Sequence, residues 1–242
     1  GWHTATGVYQ APTFGGASWL SHATLMSGQW ISSNSQYHKL LTTNSKTLNT
    51  WFQNSGYKAI ALLPGLKLHW PEGKFYGYDK IWNAESLEYP GPAFGWWRIP
   101  DQYSLAYFYK HEAATELRKP IFSLFATTTS HMPFEPLPPI EENWLTLLSS
   151  KPYPDIGDIS HSTGGLYGKA LHSAYNKAII YDLHLVGDLL RLTAHQDPLI
   201  IVLGDHQPPA IIAGADAPWT VPVHVFSQEQ ETLEKFGRIG FV

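Results

Sequence analysis

Four short apolar runs alternate along the chain with longer polar or glycine-rich segments. The runs cover residues 58–63, 120–126, 198–203 and 221–226. They contain β-branched and aromatic residues and end at polar residues, proline or glycine, a pattern typical of buried strands. We therefore predict four strands, of which the first two are separated by a segment rich in Gly, Pro, Trp and Tyr. This segment, residues 64–100, is predicted to be a long ordered loop layer.

The clearest helical pattern covers residues 170–195, where apolar side chains from Leu171 to Leu190 recur at helical spacing. A helix with one apolar face packs that face on a sheet. Strands that alternate with helices indicate an α/β fold, so we expect a mostly parallel central sheet with helices on both faces. A chain of 242 residues is long enough for one such domain, and we expect a single domain over residues 1–242.

Composition excludes several classes of function. The chain has 16 Lys and Arg against 20 Asp and Glu, a net charge of −4, without a basic cluster, which argues against a nucleic-acid partner. It has no cysteine, and therefore no disulfide, thiolate ligand or cysteine nucleophile. No apolar run reaches the roughly 18 residues of a membrane-spanning helix. Because the chain starts at Gly1 without Met, we expect a further portion upstream.

Polar residues follow the predicted strands. Asp205 and His206 come directly after the third run, His131 ends a Thr-Thr-Thr-Ser-His segment after the second, and His224 lies within the fourth. Sites in open α/β sheets form at the carboxyl ends of strands. A carboxylate beside an imidazole suits Zn²⁺ or Mn²⁺. The alternative for this pair is a helix cap or a hydrogen-bonded turn.

Ser18 follows the turn-rich segment 12–17, and residues 19–27 are predicted to form a short helix that ends at Gly28. Ser18 is thus expected at or beside the helix N-terminus. Backbone N–H groups and the helix dipole there favour an anion such as a phosphoryl oxygen or a serine alkoxide. The alternative is that Ser18 only caps the helix.

Together these segments resemble the alkaline phosphatase and sulfatase superfamily over residues 5–242. Ser18, ten residues before Gly28, is similar in position to the nucleophile of its nucleophile helix. Residues 129–134, Thr-Ser-His-Met-Pro-Phe, resemble the Ser-His-x-Pro-Phe segment of lipoteichoic acid synthases and of related phosphoglycerol or phosphoethanolamine transferases. The predicted helix followed by Ile-Ile-Val-Leu-Gly-Asp-His at residues 200–206 resembles their helix, strand and metal motif.

The resemblance implies a role for each matching residue. Ser18 would be the nucleophile and a metal ligand, Asp205 and His206 would be metal ligands, and His131 would contact the phosphoryl group or the leaving oxygen. The implied cofactor is one divalent ion, Mn²⁺ or Zn²⁺, with Mg²⁺ and Ca²⁺ as alternatives. Asp101, in Pro-Asp-Gln, matches a recurring segment whose Asp caps the next helix.

Substrate contacts follow from the same resemblance. Trp70 and Asp79 match the head-group-binding segment of the transferases, without the Arg that follows the Trp there. His22 lies one helical turn after Ser18 and is expected to reach the site. His224 is a further candidate contact, with a structural role inside its strand as the alternative.

Two departures from the superfamily pattern refine the prediction. Sulfatases that form formylglycine need Pro or Ala two places, and Arg four places, after the modified residue, whereas Leu20 and His22 occupy those places here. These two residues argue against such a sulfatase. The superfamily's first metal ligand is an acidic residue before the nucleophile, but residues 1–17 contain no Asp or Glu. We expect that ligand and its strand to lie outside this chain, which alone would bind metal weakly or be inactive.

The function implied by the resemblance is ping-pong transfer or hydrolysis of a phosphodiester on a lipid or glycan head group, through a covalent phosphoseryl intermediate. Two alternatives are a non-catalytic domain that binds such head groups and a sulfatase that needs no formylglycine. The relatives are outward-facing domains of membrane proteins. We therefore expect an extracytoplasmic domain, periplasmic or on the outer face of a bacterial membrane, anchored through segments outside this chain.

Overall fold

The structure is a computed structural model that describes residues 1–94, 97–114, 119–157 and 166–242. Its strands are β1 (His3–Gln10), β2 (Lys58–Leu63), β3 (Lys80–Asn83), β4 (Ile121–Phe125), β5 (Ile200–Leu203) and β6 (Thr220–Ser227). Its α-helices are α1 (Ser18–Ser27), α2 (Asn34–Leu41), α3 (Leu48–Asn54), α4 (Gly73–Tyr76), α5 (Asp101–Phe108), α6 (Gly168–Thr193), α7 (Ala210–Ala213) and α8 (Gln230–Gly237). Shorter helical segments are the π-helix Tyr109–Ala113 and the 3₁₀ helices Trp144–Leu148 and Ala194–Gln196.

The chain divides into two compact units. The first consists of Gly1–Thr47 and Leu190–Val242, and the second consists of Leu48–Leu189. Each unit contains a sheet of three strands among the described residues. The two sheets differ in strand direction, and each is described with its own unit.

The sheet of the first unit is antiparallel, with β6 between β1 and β5. Alternate side chains of β6, those of Val221, Val223 and Val225, are buried, as expected for a strand that packs one face on a core. Helix α8 packs on this sheet, where Leu233 joins Val225 in a small apolar cluster. Strand β1 was not predicted, because its Thr, His and Gln residues interrupt the alternation of apolar and polar residues that is typical of a strand.

The sheet of the second unit is parallel, with β2 between β3 and β4. Strand β2 is buried on both faces, since Ala59, Ile60 and Ala61 have no exposed surface. Central strands of parallel sheets have such continuous apolar sequences, and this accounts for the run at residues 58–63. The predicted α/β fold class is confirmed.

Helix α6 confirms the predicted long helix to within two residues at each end. Its buried side chains are separated by three or four residues in turn; they are Leu171, Ala174, Ala178, Tyr181 and Leu185. This is the spacing of one apolar helix face. Across the described residues, no helix combines the length and the apolar character needed to cross a membrane.

The segment predicted as a loop layer contains two regular elements, α4 and β3. Strand β3 pairs with β2 in parallel register from Lys80 to Asn83. It was missed because it has only four residues and both of its end residues are polar. Neighbouring β2 supplies the hydrogen bonds that make so short a segment a strand.

The buried position of β2 leads to a prediction. Leu62 is 1% exposed, whereas Leu68 in the same unit is 79% exposed. Replacing Leu62 with Ala leaves a cavity, so Leu62→Ala should lower the free energy of unfolding by about 2–5 kcal/mol. Leu68→Ala should change it by less than about 0.5 kcal/mol. Urea denaturation of both variants measures this difference, and equal losses would contradict the assignment of β2 to the core.

Candidate active site

The turn before α1 places Ser18 at the first position of that helix. Gly15, Gly16 and Ala17 have successive positive φ values of 68°, 150° and 61°. Glycine adopts such conformations without strain, whereas at Ala17 the left-handed conformation costs about 1–2 kcal/mol. The sharp turn ends the extended segment and starts α1 directly at Ser18. At its other end, the helix stops at Gly28 as predicted, with φ of 67°.

Ser18 is paired with His206. The Ser18 Oγ atom lies 3.1 Å from His206 Nε2, and His206 Nδ1 lies 2.7 Å from the carbonyl oxygen of Gln207. A carbonyl can only accept, so in neutral His206 the proton is on Nδ1 and the lone pair is on Nε2. The Ser18 hydroxyl therefore donates to His206. Ala17 holds the N-cap position, so Ser18 is not the capping residue.

Asp205 adds negative charge next to this pair. Its Oδ1 accepts a hydrogen bond of 2.9 Å from the backbone N–H of His206. Its Oδ2 lies 3.6 Å from His206 Nε2 and 3.7 Å from His22 Nε2. Burial lowers the pKa of His22; the charge of Asp205 opposes that shift, and His206 adds to it. The structure thus brings together four of the residues singled out in the sequence: Ser18, His22, Asp205 and His206.

Two residues that sequence patterns did not reveal support this group. The Tyr9 hydroxyl, on β1, donates to the carbonyl oxygens of Gly204 and Asp205 at 3.2 and 3.4 Å. Burial and then the charge of Asp205 raise the pKa of Tyr9 to about 12, so it remains a donor. The Gln207 carbonyl oxygen accepts from Gly15 N–H at 3.0 Å. Neither role has a side-chain motif, since both act through backbone carbonyl groups.

The chemistry of three donor atoms fits a divalent ion. Asp205 Oδ2, His206 Nε2 and Ser18 Oγ are a carboxylate, an imidazole and a hydroxyl of the kinds that Mn²⁺ and Zn²⁺ accept. The bond from His206 Nδ1–H to a carbonyl is also the usual support of a metal-binding histidine. Within the described residues, no three His, Asp or Glu side chains are grouped to hold an ion. The candidate metal ligands are therefore the three atoms from Asp205, His206 and Ser18.

His224 has a partner of its own in the sheet. It lies on β6 opposite Thr6 of β1 and Val202 of β5. Its Nδ1 is 3.0 Å from Thr6 Oγ1, a hydrogen bond that joins neighbouring strands. This contact supports the structural alternative considered for His224 from sequence.

The remaining predicted site residues lie in the second unit. His131 Nδ1 is 2.6 Å from the carbonyl oxygen of Met132, and its ring packs nearly perpendicular to the ring of Trp97 at a centroid distance of 4.7 Å. Trp70 stacks on Tyr76 at 5.3 Å. Both side chains therefore have local contacts that fix their orientation.

Asp79 binds backbone at the start of β2. Its Oδ2 accepts from Ala59 N–H at 2.7 Å, and its own N–H donates to the Ala59 carbonyl at 2.9 Å. Burial works against ionisation of Asp79, but hydrogen bonds from Ala59 and Gln53 and the charges of two lysines keep its pKa below the usual value. Its carboxylate, at the residue before β3, is thus already engaged with the backbone of β2.

Comparison with known structures defines the class of fold, which is that of the alkaline phosphatase superfamily. The chain resembles the crystal structure of lipoteichoic acid synthase LtaP from Listeria monocytogenes, with a TM-score of 0.61 and 12% identity, over 92% of this chain and 56% of that one. It also resembles an alkaline phosphatase superfamily protein from Vibrio parahaemolyticus, with a TM-score of 0.56 and 20% identity, over 91% of this chain and 50% of that one.

The resemblance seen in the sequence motifs is thereby confirmed at the level of the fold. The chain spans about half the length of these two solved structures. No protein-family model matches the sequence, and no curated protein matches it either.

The pairing of Ser18 with His206 predicts the tautomer of that histidine. In ¹⁵N NMR spectra recorded where the imidazoles are neutral, His206 should carry its proton on Nδ1, because Gln207 accepts it. His69, which is exposed, should show the mixture of tautomers of a free imidazole. A proton on Nε2 of His206 would contradict the proposed direction of the Ser18 hydrogen bond.

Proposed function

We propose that the chain is a metal-dependent phosphotransferase or phosphodiester hydrolase with Ser18 as the nucleophile. The observation that carries the proposal is the 3.1 Å contact between Ser18 Oγ and His206 Nε2, with Asp205 alongside. A nucleophilic hydroxyl that donates to an oriented imidazole has the arrangement of an activated serine. The shared fold supports the superfamily to which this chemistry belongs.

The setting of Ser18 favours attack on an anionic ester. Helix α1 has no acidic residue in its own first turn and no side-chain cap, so no residue of the helix itself offsets the positive end of its dipole at Ser18. When bound by Asp205, His206 and Ser18, a divalent ion would take the His206 Nε2 lone pair that accepts the Ser18 hydrogen bond here. The ion, in place of the imidazole, would then lower the pKa of the hydroxyl and offset charge on the phosphoryl oxygens. Mn²⁺ and Zn²⁺ suit these donors best.

In the proposed transfer, the Ser18 hydroxyl loses its proton to solvent, its oxygen forms a bond to phosphorus, and the ester bond to the leaving alcohol breaks. The alcohol departs with a proton, for which we propose the protonated form of His131 as the donor through Nε2, on the basis of its family-like segment. His131 Nδ1 faces the carbonyl oxygen of Met132. Water or an acceptor hydroxyl then attacks phosphorus and gives its proton to His131, and the bond from phosphorus to Ser18 breaks to regenerate Ser18. Positioning and charge supply most of the acceleration in such phosphoryl transfers.

The proposed substrates are phosphoglycerol or phosphoethanolamine head groups on a lipid or glycan. Trp70, stacked on Tyr76, offers an aromatic ring for such a group, and His22 lies beside the nucleophile. Asp79 is the weaker candidate, because its carboxylate binds Ala59 N–H. A substrate of this kind agrees with an extracytoplasmic location and a membrane anchor outside this chain, which we propose from the resemblance.

A second candidate function is a non-catalytic domain that binds the same head groups. The observation in its favour is the short donor set, since the described residues hold no group of three His, Asp or Glu side chains placed for a metal. A hydrolase for sulfate esters that needs no formylglycine is the remaining alternative. The experiment on Ser18 separates all three.

Ser18→Ala should lower hydrolysis of a chromogenic phosphodiester, with Mn²⁺ or Zn²⁺ added, by more than about a thousandfold, because it removes the nucleophile. Ser35→Ala changes an exposed serine and should leave the rate unchanged. Mass spectrometry should detect phosphate on Ser18 only in the protein that keeps this residue. The urea midpoint should hardly move, since the Ser18 side chain is not the helix cap.

Turnover at equal, measurable rates in the parent and in Ser18→Ala would contradict the nucleophile assignment. Head-group binding without turnover in either protein would favour the second candidate function. Faster release of sulfate than of phosphate from matched esters would favour the sulfatase.

Asp205→Asn should weaken binding of Mn²⁺ or Zn²⁺ by at least about tenfold, because a neutral amide replaces the only carboxylate among the three donors. Isothermal titration measures this directly, without turnover. Asp216→Asn, which changes an exposed aspartate, is the matched control and should bind metal like the parent. Unchanged affinity in Asp205→Asn would exclude Asp205 as a ligand.

A further inference from the structure

Asp101, in the second unit, is fully buried at the first position of α5. The sequence predicted that it caps this helix, but Pro100 holds the N-cap position and makes no side-chain bond there. The Asp101 carboxyl group accepts hydrogen bonds from a different segment, from Thr128 N–H at 2.9 Å and from Thr129 N–H at 2.7 Å. The Thr128 hydroxyl adds a third donor at 3.2 Å.

The segment held by Asp101 leads to His131. It begins two residues after the end of β4, and we call residues 127–131 the His131 segment. The backbone N–H of His131 donates to the carbonyl oxygen of Thr128 at 3.1 Å. The residues that Asp101 binds therefore also fix the backbone of His131.

A second carboxyl group contacts the same segment. Asp182, on α6, accepts hydrogen bonds from the side chains of Thr127 and Ser130 and from the backbone N–H of Ser130. Its Oδ1 atom is buried and has no hydrogen-bond partner among the described residues. A bare carboxylate oxygen in such a place is costly, whereas a neutral carboxyl group is tolerated.

Two buried carboxyl groups that repel each other do not both ionise. Burial and then the charge of Asp101 raise the pKa of Asp182 to about 8. Burial also raises the pKa of Asp101, but donors at both of its oxygens oppose this. The adjacent Tyr181 stays neutral, because burial raises its pKa above the usual range. One proton near pH 7 therefore belongs on Asp182, which has the unpartnered oxygen.

We propose that Asp101 and Asp182 are positioning residues that together hold the His131 segment, with Asp101 ionised and Asp182 neutral. Both oxygens of Asp101 accept backbone N–H groups, so this carboxyl group has to be ionised. Asp182 Oδ1 has no donor to accept from among the described residues, so it can carry the proton. The effect of this pair on turnover rests on the proposed function. Its effect on the conformation of the segment does not.

The test compares two isosteric substitutions. An asparagine resembles a protonated aspartic acid, so Asp182→Asn should leave amide hydrogen exchange at Thr128 and Thr129 within about twofold of the parent. Asp101→Asn turns a donor toward these N–H groups, so their exchange should rise by about tenfold or more. The NMR resonances of His131 should shift in Asp101→Asn and not in Asp182→Asn. Asp216→Asn controls for the loss of an exposed charge.

Equal exchange in the two variants, or faster exchange in Asp182→Asn than in Asp101→Asn, would overturn the proposal. So would unchanged His131 resonances in Asp101→Asn. If Asp101→Asn does not fold, the pH dependence of the parent compared with Asp182→Asn still decides. If the parent does not hydrolyse phosphodiesters, the proposed function fails, but amide exchange and the His131 resonances still test the positioning roles. If turnover is intact and the two variants show the same amide exchange, only the positioning roles of Asp101 and Asp182 are refuted.

The pH dependence has a defined sign. Folded Asp182 keeps its proton up to about pH 8, whereas an unfolded aspartate loses it near its ordinary pKa. The folded protein thus binds more protons between these values, and this group makes stability fall as pH rises through that window. Thermal unfolding from about pH 5 to about pH 9 should show this fall in the parent and a smaller one in Asp182→Asn. An unchanged slope in that variant would contradict a proton on Asp182.

Discussion

The backbone carbonyl of Gln207 is the acceptor on which the candidate active site depends. It receives the N–H of Gly15 at 3.0 Å and the Nδ1–H of His206 at 2.7 Å. The first bond ties the turn before α1 to the segment after β5. The second fixes the tautomer of His206, so that its Nε2 lone pair faces Ser18. The Gln207 carbonyl oxygen thus helps to hold Ser18 near His206, and it also determines that Ser18 donates the hydrogen bond between them.

Asp205 and Asp101 show how burial decides whether a carboxyl group can bind a ligand or only stabilises a local conformation. Asp205 is partly exposed and keeps Oδ2 within 3.7 Å of two imidazoles. Such an atom is available to a cation or a substrate. Asp101 is fully buried, and both of its oxygens accept backbone N–H groups. A buried charge is stable only with donors of this kind, so Asp101 holds a conformation and is closed to ligands.

The fold could be predicted where a strand or helix carries its own apolar pattern. Strand β2 is buried on both faces and α6 along one stripe, and both patterns are visible in the sequence. Strands β1 and β3 could not be predicted in this way, because their sequences have no clear apolar pattern. Backbone pairing with β6 and β2 makes these segments strands.

The sequence by itself determined the candidate chemistry, because residue type decides which atoms bind cations or attack phosphorus. It placed Ser18 at the start of a helix that ends at Gly28, and an Asp-His pair after a strand. Only the tertiary structure decided that Ser18 faces His206, that Tyr9 holds the segment of Asp205, and that Asp101 binds another segment instead of capping α5. These contacts join residues far apart in the chain, and several use backbone groups that every residue has. A local motif cannot encode them, since the folded backbone alone brings such groups within hydrogen-bond distance.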